Sequence, residues 1–165
     1  MTGRRVAREG VAVGLIAYAS VALFYSVFDF LAVRGVLFTV NLLGMTVFRG
    51  LRDPSILMGP VPLDLGAIFL YNTLHLVVSL AIGLTVMRLA AQAERHPSQA
   101  GVMLLLIVSG FVVTILVVNW LSEPIRPVLP WWSIVVANTL AVLLSAWYLM
   151  ARNPGLLRRF TPVIT

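Results

Sequence analysis

Tyr71, Asn72, His75 and Ser79 recur at offsets of three and four, which stacks them on one face of a helix. An imidazole on such a face supports three kinds of chemistry. Its ring nitrogen can ligate a haem or a chlorophyll-type pigment, with Tyr71 and Asn72 as the nearest companions. With a carboxylate such as Asp29 it can relay protons. With amides and phenols it can hold neighbouring helices in register. Tyr18, Tyr25, Ser26 and Asp29 form a second polar stripe, and Asn119, Asn138 and Thr139 add three further groups. Asp29, Asn72, Asn119 and Asn138 fall at similar depths in their segments, so one shared polar layer is expected.

Each chemistry has its own requirements. One histidine suffices for a five-coordinate metal. A sixth ligand is not at hand, because His96 belongs to a polar link. A macrocycle also needs a small residue one turn before its ligand, where this chain has Tyr71. A proton relay needs a series of ionisable groups across the membrane, which Asp29 and His75 alone do not form. Asp29 stands five residues before Arg34, so pairing with an arginine of the adjoining loop is its expected role. Asp53, Asp64 and Glu123 read as solvated or salt-bridged loop charges.

No catalytic motif accompanies these residues. The chain lacks G-x-S-x-G, H-E-x-x-H, a P-loop and a G-x-G-x-x-G turn. With no cysteine and two histidines, it offers neither thiolate ligands nor a convergent metal set, and no metal site is expected. A non-enzymatic role is the expectation.

The elements that must position these side chains are four apolar blocks, at about residues 10–33, 65–88, 99–122 and 131–151. Each has the roughly 20 residues that a helix needs to cross a ~30 Å hydrocarbon layer. Backbone groups in lipid must be paired within the segment, so the blocks are read as helices. A composition of 60% hydrophobic residues and a mean hydropathy of +0.99 exceed what a soluble domain of this size can hide. The fold class is therefore an all-α integral membrane protein. An antiparallel four-transmembrane-helix bundle is expected, forming a single membrane domain over 1–165. In architecture alone it resembles small four-span bacterial membrane proteins. The first block is longer than the ~7–15 apolar residues of a signal peptide, so an uncleaved first span is expected.

Charge sets the expected topology. All twelve basic residues are arginine, and the formal net charge is +6. They flank the spans instead of forming a stripe with aromatics, which argues against nucleic acid. Arg4, Arg5, Arg8, Arg88, Arg95, Arg152, Arg158 and Arg159 fall on one side; Arg34, Arg49, Arg52 and Arg126 fall on the other. The positive-inside rule places both termini in the cytoplasm, with the bacterial inner membrane as the expected location. Trp120, Trp131, Trp132, Trp147 and Tyr148 fall at span ends, where aromatic rings gather.

The outer loop, residues 34–64, contains an apolar stretch from Leu37 to Phe48 that is too short to cross. A short helix is expected there, lying in the outer interface or dipping in and returning. The segment from Arg49 to Pro62 is rich in glycine and proline and reads as an ordered lip. Prolines 124, 127 and 130 favour a stiff, extended outer link. The tail beyond Arg152, with Leu156 to Phe160, reads as a basic anchor at anionic headgroups.

Helices in lipid approach closely only through small residues. The fourth block has Ser133, Ala137, Ala141 and Ser145 at four-residue spacing. The first has Gly10 and Gly14, the second Ser79 and Gly83, and the third Gly110 and Thr114. Packing within the chain is their expected use, with self-dimerisation the alternative; the fourth-block stripe and the outer loop from Val36 to Pro62 are also the candidate contacts for a partner. The functional expectation is a non-catalytic accessory subunit of a larger energy-transducing membrane complex, respiratory or photosynthetic, with the bilayer and other membrane proteins as partners. A bundle binding a haem, pigment or other small molecule at His75 is the rival, and a small transporter a third possibility.

Overall fold

The computed structural model describes residues 2–152. The tail expected to act as a basic anchor lies outside the described residues. The described chain forms five helices: α1 (Gly3–Leu31), α2 (Phe38–Phe48), α3 (Leu65–Arg95), α4 (Ala100–Leu121) and α5 (Trp131–Arg152). Short 3-10 turns occupy Pro54–Met58, Pro97–Gln99 and Glu123–Ile125. All but α2 are long and apolar enough to cross a membrane. α1 starts seven residues before its apolar block, and α3 continues seven residues past its own. Helical hydrogen bonding does not stop at the hydrocarbon edge, so a helix outruns the block that inserts it.

Glycine decides how α1 meets α3. A Cβ on Gly10 would lie 2.9 Å from the Leu84 Cα, and one on Gly14 would lie 2.7 Å from the Leu80 Cα and the Ser79 carbonyl oxygen. A Cβ on Gly83 would strike the Gly10 carbonyl and lie 2.5 Å from the Gly14 nitrogen. Numbers therefore rise along α1 as they fall along α3, and the two small-residue pairs form one seam. Backbones this close gain dispersion contacts that lipid tails cannot supply. α5 packs mainly on α1 and buries Ser133, Ala137, Ala141 and Ser145, so the whole four-residue stripe is used within the chain and is not left open as a partner contact.

α4 behaves differently. It has no buried residue, and a Cβ on Gly110 would meet nothing within 4 Å. Thr114 only donates to the Gly110 carbonyl of its own helix. The expected seam on this block is thus open to its surroundings.

α2 is enclosed by the protein. Thr39, Asn41, Leu42, Leu43, Gly44 and Thr46 are buried, chiefly against α3. A Cβ on Gly44 would lie 2.5 Å from the Ala67 carbonyl oxygen. The polar residues point different ways because each serves a different neighbour. Thr39 bonds Asp29, the Asn41 amide donates to the Pro62 carbonyl at 2.9 Å, and Thr46 donates to the Leu42 carbonyl. A helix covered on several sides shows no amphipathic signal.

The outer link between α4 and α5 differs from the expected extended stretch. It coils through Glu123–Ile125, with the Leu129 amide donating to the Ile125 carbonyl at 2.9 Å. Proline is accepted in the first turn of a helix, where its missing N–H is not needed. The coil turns Ile125 and Leu129 inward, where they form a buried cluster with Leu42 and Leu43. Burying two large aliphatic side chains stabilises by roughly 1.5–3 kcal/mol each, which outweighs the extended preference of spaced prolines.

Candidate functional site

The corner after α1 is built by one residue in an unusual conformation. The Arg34 amide donates to the Asp29 carbonyl at 2.9 Å and the Val33 amide to the Phe30 carbonyl at 3.1 Å. This is the Schellman pattern that closes a helix through a left-handed residue, usually glycine. Here the residue is Val33, with φ 56° and 95% exposure. The turn carries Arg34 back over α1 and sends the chain into α2.

Asp29 sits under this corner and is 1% exposed. Its Oδ2 accepts from the Thr39 amide at 2.7 Å and its Oδ1 from the Thr39 hydroxyl at 2.6 Å. Arg34 Nη2 lies 3.2 Å from Oδ1. The carboxylate therefore caps the first turn of α2, where unpaired amides and the helix dipole favour negative charge. The Arg34 guanidinium also lies between the rings of Phe28 and Phe38, at 5.1 and 4.8 Å, and donates to the Val128 carbonyl at 3.0 Å. One ion pair thus ties α1, α2 and the α4–α5 link together. The expected pairing of Asp29 with an arginine is found, and Thr39 is its second partner.

Below this cap lies a small cavity of about 80 Å³ between α1, α2 and α3. Tyr25, Ser26, Asp29, Thr39, Tyr71, Asn72 and His75 supply its polar lining, and Val21, Val40 and Leu43 part of its apolar wall. Tyr18 donates to the Asn72 side-chain oxygen at 3.1 Å, and the Asn72 amide donates to the Ile68 carbonyl. The His75 ring lies 5.1 Å from the Tyr18 ring and 6.1 Å from the Tyr71 ring. Residues of the stripes on the first two blocks therefore meet around this cavity. Ser79 serves the glycine seam instead.

The other polar residues stand apart. Asn138 donates to the Ile134 carbonyl of its own helix, and Thr139 is exposed. The Asn119 side-chain oxygen is buried without a hydrogen-bond partner. None of the three lines the cavity. Among the described residues no group of three or more histidine, aspartate or glutamate side chains converges.

Two polar anchors escaped the sequence reading. Glu9 is 1% exposed although it precedes the first apolar block. It accepts from the Tyr148 hydroxyl at 2.8 Å, joining α1 to α5, and lies 3.4 Å from Arg8. The signal for its burial was its place beside Gly10 and one turn before Val13, on the packed face of α1. The second is Asn41, whose side-chain oxygen accepts from the Asp64 amide at 2.9 Å, fixing the entry to α3.

Asp64 closes the outer lip. It accepts from the Ala67 amide at 2.8 Å, capping α3, and pairs with Arg49 Nε at 2.8 Å. Hydrogen bonding from Arg49, then from the Ala67 amide, holds its carboxyl at about 2, below the usual carboxylate range. Asp53 is also held low, by the amide of Ser55 that it caps.

No family model, curated protein or solved structure matches the chain.

Proposed function

We propose that the chain is a non-catalytic accessory subunit of a larger membrane complex, in the setting of respiratory or photosynthetic energy transduction. In this proposal the four long helices cross a bacterial inner membrane as an antiparallel bundle, with both termini on the cytoplasmic side. The observation that carries it is the state of α4. α1 buries small residues against α3 and against α5, whereas no residue of α4 is buried as a whole and Gly110 is left open. Small residues on an unpacked face allow another helix to approach closely, which lipid does not require. The ordered outer lip from Arg49 to Pro62 supplies a second surface for such a companion.

The test is extraction from native membranes in mild detergent, followed by sizing and identification of copurifying chains. A stoichiometric membrane companion is expected. Gly110→Trp is expected to release it while leaving the thermal stability of the isolated chain unchanged. Migration of the native chain alone, or full retention of the companion by the variant, overturns the proposal.

The cavity beside His75 favours one rival, the binding of a small polar guest. A volume of about 80 Å³ suits a few water-sized molecules. A haem or chlorophyll-type ring calls for a pocket several times larger, of the order of 300 Å³ or more. Tyr18 and Tyr71 already pack on the His75 ring. An absorption spectrum of the purified protein decides the pigment question, because a bound macrocycle gives visible bands that His75→Ala abolishes.

A further inference from the structure

A groove of about 480 Å³ opens between the first turns of α1 and the last turns of α3, at the opposite end from the cavity. Gly3, Val6, Ala7, Leu84 and Ala91 form its apolar surfaces, and Arg88, Gln92 and Arg95 its polar rim. On α3 these rim residues fall at offsets of four and three, so they share one face. Arg88 and Arg95 are exposed, and no carboxylate pairs with either among the described residues.

Two acids lie nearby in the sequence. Glu9 is turned inward to Tyr148 and Arg8. Glu94 lies a quarter turn or more round α3 from the arginine face at ~100° per residue. The groove therefore combines an apolar floor with two exposed arginines that form no ion pair among the described residues. Arg95 stands about 10 Å beyond Arg88 along the axis, at 1.5 Å per residue. Arg88 closes the apolar block of α3, and Arg95 is the last residue of the helix. Free phosphate would use the charges but leave the apolar floor uncovered. A phospholipid uses both.

We infer that this groove binds an anionic phospholipid from the leaflet at the N-terminal end of α1. The phosphodiester sits between Arg88 and Arg95 with Gln92 donating from its amide, and the upper part of an acyl chain lies against Val6 and Leu84. Basic pockets between membrane helices select anionic headgroups in this way. Zwitterionic lipids present a cationic group to the same arginines and bind less well.

The test is native mass spectrometry of the purified full chain with phosphatidylglycerol or phosphatidylcholine of identical acyl chains. The wild type is expected to retain phosphatidylglycerol in preference by roughly tenfold. The doubly substituted Arg88→Gln, Arg95→Gln chain is expected to lose that preference. Both side chains are exposed, so thermal unfolding should be unchanged. A control with Arg52→Gln and Arg126→Gln, at the other end of the molecule, should keep the wild-type preference. Equal lipid retention by the Arg88, Arg95 variant overturns the inference, as does equal loss by the control. Displacement of the lipid by inorganic phosphate at matched concentration overturns the lipid assignment in favour of a simple anion site.

Discussion

Asp29 on α1 and Thr39 on α2 are joined twice, through the threonine amide at 2.7 Å and its hydroxyl at 2.6 Å. The acid that looks like a candidate for proton transfer is thereby saturated by structural bonds. Asp29→Asn removes the charge that Arg34 and the first turn of α2 both need, and should destabilise by about 2–3 kcal/mol. Thr39→Val removes only the hydroxyl bond and should cost about 1 kcal/mol. Equilibrium unfolding in mixed detergent measures both. Equal losses from the two variants would contradict the assignment.

The glycine seam predicts a contrast between helices. Gly14→Ala and Gly83→Ala each force a methyl into backbone, and should destabilise by about 1–3 kcal/mol. Gly110→Ala adds its methyl to open space and should be neutral, or stabilising by up to about 1 kcal/mol through helix propensity. Thermal unfolding of the three variants checks this.

Val33 predicts a gain. A β-branched residue at φ 56° carries strain that glycine lacks, and its 95% exposed side chain contributes little packing within the chain. Val33→Gly should stabilise the isolated protein by about 1 kcal/mol, read as a higher unfolding midpoint.

Asp64 predicts a pH dependence. Its folded pKa, about 2, lies below its unfolded value. The folded state therefore binds fewer protons at this site, and the contribution is complete above about pH 4. It declines as pH falls and is lost as the carboxyl protonates near 2. The stability difference between wild type and Asp64→Asn should follow that course when unfolding is compared from pH 7 downward. A difference that grows on acidification would contradict the Arg49 clasp.

Much of this was legible in the sequence because lipid imposes blunt rules. Apolar blocks of sufficient length gave the four long helices. Four-residue spacing gave the Ser133 to Ser145 stripe, and i, i+3 and i, i+4 offsets brought Asn72 and His75 to the cavity. Contacts across the chain were not legible. Nothing local to Thr39 marks it as the partner of Asp29, and nothing near Tyr148 points to Glu9, 139 residues away. Asn119 and Asn138 matched in depth but not in direction, because depth fixes only one coordinate of a helical side chain. The prolines of the outer link misled for a related reason. Their local preference yields when Ile125 and Leu129 can both reach a buried cluster.

No residue of α4 is buried as a whole. Its exposed positions are consequently free to vary, within the limits of staying greasy and helical, at no penalty to folding. Saturation mutagenesis along this helix, scored in living cells, would then have a blank baseline. Any exposed site there, away from the side that meets α3 and α5, that refuses exchange reports the touch of another molecule.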